Sequence, residues 1–265
     1  MKRSLHVGIN EFPGLPSSNL QGCVNDAHDL ANLLTHAYGF NQVKVMLNAD
    51  ASRRGILGGL AWLCDGAIDG DELVFSYSCH GTQIDDRDGD EPDRLDEAIC
   101  PADLSYANWD KTLIVDDELR KLFSALPVGA NLTVIGDACH SGSQTRDVLA
   151  PPAPRPRARF LGPRLRRAGG YCRRPRLLSG AEQNWLMLSG CRDDETSADA
   201  YIDGRYNGAM TWALLRAARE IPSRSWSDGH EAMRQALAGA NYEQHPVLSG
   251  PAEMLARPLF GGIAA

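Results

Sequence analysis

No apolar run in this 265-residue chain approaches the ~20 residues that a membrane-spanning helix needs. No Cys-x-x-Cys pair is present, and the seven cysteines are an odd, scattered set. Reduced cytosolic thiols fit that pattern better than a disulfide framework does. The basic start Met1-Lys2-Arg3-Ser4 precedes only Leu5 to Ile9, interrupted by His6, too short for a secretory core. No repeat of 20–50 residues is visible, which removes solenoids and propellers. A cytoplasmic protein without a membrane partner is the expectation.

Acid is missing from one place. Residues 151–176 hold nine arginines, six prolines and no carboxylate, while the remainder carries 18 basic against 34 acidic residues. An acidic body thus bears one basic insert. A solvated loop is the plainest reading of it. A nucleic-acid arm is disfavoured, because only Phe160 and Tyr171 interleave the arginines, so no nucleic-acid partner is expected.

What is present is ordinary globular material, 43% hydrophobic and 23% charged, enough to bury about 75% of the unfolded surface. Strand-like runs at 4–10, 43–47, 73–78, 132–135 and 185–189 alternate with helical periodicity at 22–38, 52–67, 115–126, 208–219 and 228–240. Pro246-Val247-Leu248 reads as a last strand. The pattern predicts an α/β fold with a mostly parallel sheet of about six strands, helices on both faces. Chemistry in such sheets sits at the carboxyl ends of strands.

Two strands end in reactive pairs. Ser78-Cys79-His80-Gly81 follows the third, and Gly136-Asp137-Ala138-Cys139-His140-Ser141-Gly142 follows the fourth. A thiolate nucleophile needs a neighbouring imidazole, and glycine beside each lets backbone N–H groups approach a carbonyl. Zinc held by Cys79, His80, Cys139 and His140 is disfavoured, since adjacent strand residues point to opposite faces.

These segments resemble the histidine and cysteine motifs of the type I metacaspases, caspase-like cysteine peptidases of clan CD. Val7-Gly8-Ile9-Asn10, Leu20 to Ala27, Gly89-Asp90-Glu91, Asp96-Glu97-Ala98 and Val115 to Leu119 are similar to the family's large region. Leu188 to Asp194, Thr196-Ser197-Ala198 and Gly208 to Thr211 resemble its small region. The resemblance implies a caspase-like fold with a large region over 1–149, an Arg/Pro-rich flexible insert over 150–180, and a small region over 181–265. Cys79 departs from the pattern, which more often has glycine there. No pro-domain is expected ahead of the first strand, and a monomer is the expected state.

The resemblance also implies roles: Cys139 as nucleophile, His80 as acid/base, and the backbone N–H groups of Gly81 and Cys139 as oxyanion donors. No third catalytic residue is evident, so a dyad is expected. Caspases carry Gln-Ala-Cys where this chain has Asp137-Ala138-Cys139. A carboxylate there repels acidic substrates and attracts arginine or lysine, and the resemblance adds Cys23, Asp26 and Ser78 to that pocket. The implied activity is an endopeptidase cutting protein or peptide substrates after Arg or Lys. An inactive caspase-like scaffold and an aspartate-specific protease are the alternatives.

Carboxylates crowd residues 85–97, and hard oxygen donors suit calcium, although Glu91 stands where an EF-hand needs glycine. Metacaspases resembling this chain are commonly calcium-activated, through acids matching Asp96, Asp116, Asp117 and Asp147. Ca2+ is therefore expected as a structural trigger outside the bond chemistry; a solvated acidic hairpin is the alternative. An Arg-directed enzyme would find targets in its own insert. Self-cleavage within 155–176, or an insert acting as tethered pseudo-substrate, follows.

Overall fold

A computed structural model describes residues 1–86, 95–139, 156–162, 184–192 and 195–263. The elements are β1 (Lys2–Gly8), α1 (Cys23–Tyr38), β2 (Gln42–Leu47), α2 (Arg53–Cys64), β3 (Glu72–Ser78), β4 (Gly81–Asp85) and β5 (Leu95–Ile99). There follow α3 (Trp109–Thr112), β6 (Ile114–Val115), α4 (Asp116–Ser124), β7 (Asn131–Asp137), β8 (Arg157–Ala158) and β9 (Leu186–Ser189). The chain continues through β10 (Ala198–Ile202), β11 (Arg205–Gly208), α5 (Ala209–Glu220), α6 (Trp226–Gly239), β12 (Val247–Ser249) and α7 (Ala252–Leu255).

Six strands form the central sheet in the order β12-β9-β7-β3-β1-β2, parallel except for β12. Period-two alternation divides each strand between two cores. Leu73, Phe75 and Tyr77 join Leu5, Val7, Ile56, Leu60, Leu119 and Phe123 on the α2/α4 face. Val74, Ile135 and Leu188 join Leu30, Leu34, Leu214 and Leu237 on the α1/α5/α6 face. His6 is buried in β1, its ring nitrogens 2.7 Å from Ser76 Oγ and 2.9 Å from Ser4 Oγ. Burial lowers its pKa to about 3, so it is a neutral structural imidazole. Local signals end the helices where expected. Ser52 Oγ accepts from Gly55 N–H at the start of α2, and Gly39 takes φ 73° after α1.

Two small antiparallel sheets, β4-β5-β6 and β11-β10-β8, stand beyond the parallel layer. Sequence periodicity alone did not separate them. β10 and β11 are joined by Asp203-Gly204, both at positive φ (51° and 87°), the two-residue hairpin turn that an Asp-Gly pair specifies. The described part of the insert is no solvated loop: Arg157–Ala158 pairs with β10, and Phe160 bridges to Gly81.

Candidate active site

Parallel pairing of β3 with β7 sets Ser78 opposite Asp137, so Cys79-His80 and Ala138-Cys139 leave adjacent strand ends together. Sequence reasoning had predicted this meeting from two independent strand runs. Between them runs an extended strap, residues 157–161, contributed by the arginine-rich insert.

Arg159 is the largest fully buried side chain of the described residues, 0% exposed. Its Nη2 lies 2.8 Å from Asp26 Oδ2 and 3.0 Å from Asp199 Oδ1. Nη1 lies 3.2 Å from Asp137 Oδ1 and donates to Ser78 Oγ at 2.6 Å. Burial alone would depress the guanidinium pKa. Cys23, Asp137, Asp26 and Asp199 around it more than reverse that, and hold it well above its ordinary value. The four residues expected in the pocket, Cys23, Asp26, Ser78 and Asp137, thus surround one cation. Asp199 on β10 is the member that sequence reasoning missed.

The acids are themselves anchored. Asp26 accepts from Ser78 Oγ at 2.6 Å and from Gly208 N–H at 3.0 Å. Asp137 accepts from Thr211 N–H at 2.9 Å, from Thr211 Oγ1 at 2.7 Å and from Ser197 Oγ. Asp199 accepts from Gln21 and Gly22 N–H, both at 2.8 Å. Burial raises the Asp26 pKa, with Arg159 opposing it and Asp137 adding to it. Gly208 closes the pocket at a point where a Cβ would overlap Asp137 Oδ2 and Arg159 Nη1. Gly208→Ala is expected to expel the guanidinium and uncover Cys139. Overpacking of this kind costs ~1–3 kcal/mol, so alkylation mapped to Cys139 should accelerate about tenfold. An unchanged rate would contradict the fit.

The Arg159 carbonyl lies 3.0 Å from Gly81 N and 3.2 Å from Cys139 N, accepting both N–H groups. Its own N–H donates to Ser197 O at 3.2 Å. The Cys139 thiol accepts from Ser197 N–H and lies 3.5 Å from Ser197 O. His80 turns Nε2 onto the Ser18 carbonyl at 2.7 Å. A carbonyl accepts only from N–H, so the proton sits on Nε2 and the Nδ1 lone pair is free. Nδ1 is buried without a hydrogen-bond partner. Burial lowers the His80 pKa to about 4; the Arg159 charge adds to the fall, while the Ser18 bond and the Arg159 backbone oppose it. The Phe12 ring packs 5.2 Å from the imidazole. The Ser18 carbonyl is therefore an orienting group that the expected dyad omitted. It carries no side-chain signature that a sequence reading can register.

The carboxylates expected to hold calcium lie apart from this cleft. Asp96 and Asp116 are buried near the β5–β6 pairing, and Arg120 lies 3.2 Å from both Asp116 and Asp117. Asp147 is outside the described residues. Among the described residues no group of three or more His, Cys, Asp or Glu gathers to hold a metal.

The parallel sheet with a histidine and a cysteine at adjacent strand ends is the caspase-like arrangement. The fold is similar to that of Caspase-1 from Spodoptera frugiperda, with a TM-score of 0.64 at 15% identity over 98% of this chain and 90% of that one. It is also similar to protein GSU0716 from Geobacter sulfurreducens, with a TM-score of 0.71 at 22% identity over 99% of both chains. The profile described as "Metacaspase, peptidase C14 domain" matches residues 2–147. Metacaspase-1 of Cryptococcus neoformans var. neoformans serotype D is 34% identical across 98% of this chain and 64% of its own length. Metacaspase-1 of Kluyveromyces lactis is 32% identical across 94% of this chain and 65% of its own length. The chain belongs to the metacaspase family of C14 peptidases, and spans just under two thirds of these curated relatives.

Proposed function

We propose that this chain is a cysteine endopeptidase that cuts after Arg or Lys and that its first substrate is its own Arg159–Phe160 bond. The supporting observation is the seat of Arg159: guanidinium among Asp26, Asp137 and Asp199, carbonyl on the N–H groups of Gly81 and Cys139. A peptide held so is poised as a substrate. Cys139 Sγ leaves Ser197 and attacks the Arg159 carbonyl carbon as its proton passes to His80 Nδ1. The oxyanion forms between the Gly81 and Cys139 N–H groups, each worth ~3–4 kcal/mol in sites of this kind. Collapse breaks the C–N bond, and Nδ1 returns the proton to the Phe160 amine. A water then gives its proton to Nδ1 and attacks the thioester, which frees the Arg159 carboxylate and the thiol. Ser18 keeps the imidazole in the tautomer both steps require.

The six described cysteines are all free, and no helix among the described residues is long and apolar enough to cross a membrane. The free thiols suit the proposed setting, a reducing cytoplasm, and a monomer is the proposed state. Calcium activation is proposed on the donor chemistry of Asp96, Asp116 and Asp117. Any ion bound there competes with Arg120.

Paired fluorogenic peptides ending in Arg or Asp, with calcium or chelator and with Cys139→Ala as control, test the proposal. Arg cleavage that is lost by at least a thousandfold in Cys139→Ala is the expected result, and a fall in chelator would add the calcium trigger. Asp cleavage overturns the pocket assignment. Cleavage of neither peptide, in a chain whose insert stays uncut, leaves a caspase-like scaffold.

A further inference from the structure

The strap is held beyond the Arg159–Phe160 bond as well as before it. Leu161 N–H donates to Gly81 O at 3.0 Å, and Thr82 Oγ1 donates to Leu161 O at 2.6 Å. Phe160 pairs in parallel with Gly81, so the strap continues beside the first residues of β4. Thr82 is 0% exposed and Leu161 only 8% exposed, its side chain within the larger hydrophobic core cluster. Phe160, between them, is half-buried.

From this we infer a binding subsite for the second residue after the scissile bond, in which Gly81 O and Thr82 Oγ1 fix the substrate backbone and a recess takes an apolar side chain. The inference rests on the Arg-directed peptidase reading for its use in catalysis, and on the strap contacts alone for its existence. The physical argument is one of satisfied groups. A buried hydroxyl needs an acceptor, and among the described residues Thr82 Oγ1 finds it in Leu161 O, in a chain that continues past the cut. A departing strap leaves that hydroxyl and the Gly81 carbonyl to water, and opens an apolar recess where Leu161 sat. The substrate class is accordingly an extended polypeptide of the form Arg–x–apolar, with little reward for a substrate that stops at arginine.

Two measurements on the full chain test this separately from the activity. In the first, internally quenched peptides containing Arg-Phe-Leu or Arg-Phe-Asp are compared with an Arg–aminocoumarin substrate, which has nothing beyond the cut. Leucine should be preferred over aspartate by at least tenfold in kcat/KM. Thr82→Val should lower the ratio of quenched-peptide to aminocoumarin hydrolysis by about five- to tenfold, the size of one net hydrogen bond. A ratio unchanged within twofold, with no preference for leucine, overturns the subsite. In the second, iodoacetamide labelling of Cys139 is followed by mass spectrometry. Thr82→Val and Leu161→Asp should each label about five- to tenfold faster than the parent, because the strap lets go more often. Equal labelling rates overturn the clamp. If no peptide is cut, the peptidase reading falls, and the labelling rates still decide whether the clamp exists.

Discussion

Arg159→Ala is expected to leave the insert uncut at that position and to raise the initial rate on added Arg peptides about a hundredfold. The guanidinium is fully buried against three carboxylates. Removing one partner of such a set costs ~3–5 kcal/mol, equivalent to about two to three and a half decades in the open fraction of the strap. The backbone bonds of Arg159 to Gly81, Cys139 and Ser197 would not hold alanine there, because each is a neutral bond worth ~1 kcal/mol net. Two consequences separate this from a general loss of fold. First, Arg159→Lys should keep both occupancy and cutting in weaker form, since a single ammonium can meet only part of what the guanidinium fork meets. Second, the alanine variant should melt below the parent at neutral pH, and the gap should narrow in acid as the bared carboxylates take up protons. Asp26, whose pKa burial already raises, should lead that uptake. A variant cut at the same bond and silent toward added peptide would show that Arg159 is packing alone.

The same buried cation marks where the sequence stopped being readable. Apolar runs and helical periodicity are local, so β1, α1, β3, β7 and α5 were legible close to their observed limits. Placing His80 and Cys139 together needed only the rule that chemistry gathers at strand ends, and the β3–β7 register brings them there. Asp137 was legible as a pocket acid from its place two residues before the cysteine, whereas Asp26 came only through the family resemblance, since an acid on the first turn of a helix is explained equally well by the helix dipole. Nothing local, however, distinguishes Arg159 from the eight other arginines of its segment. Its place is set by pairing of Arg157–Ala158 with β10 and of Phe160 with Gly81, contacts far away in sequence. Asp199 was within reach. The Asp203-Gly204 pair specifies a hairpin, and counting back along its first strand puts Asp199 on the face opposite Ala200. The Ser18 carbonyl was beyond reach, because a backbone oxygen has no residue type to betray it.

Self-cleavage and turnover of added peptides are expected to lose activity in acid at different pH values. His80 must be neutral to take the thiol proton. With the strap in place its pKa is lowered to about 4, by burial above all and further by the Arg159 charge, against the raising effects of the Ser18 bond, the Arg159 backbone and the Asp199 charge. When the strap leaves, water enters and the guanidinium goes, so the imidazole returns toward its ordinary value of about 6.5. The direction is fixed by sign: a histidine with a depressed pKa stays neutral to lower pH, and its basic function survives further into acid. The first-order rate of strap cutting reports the occupied cleft and should fall only near pH 4. For added peptides, kcat/KM reports the free enzyme and should fall near pH 6.5. At pH 5 a group of pKa about 4 is about 90% neutral and one of about 6.5 is about 3% neutral. The two activities should therefore diverge about thirtyfold there, measured by fragment appearance on gels against peptide fluorescence. Asp26 adds to the divergence, because its protonation in the emptied pocket weakens capture of an incoming arginine. Coincident acid limbs would mean that the strap does not shield the imidazole, and with that the occupied cleft would lose its claim to be a substrate complex.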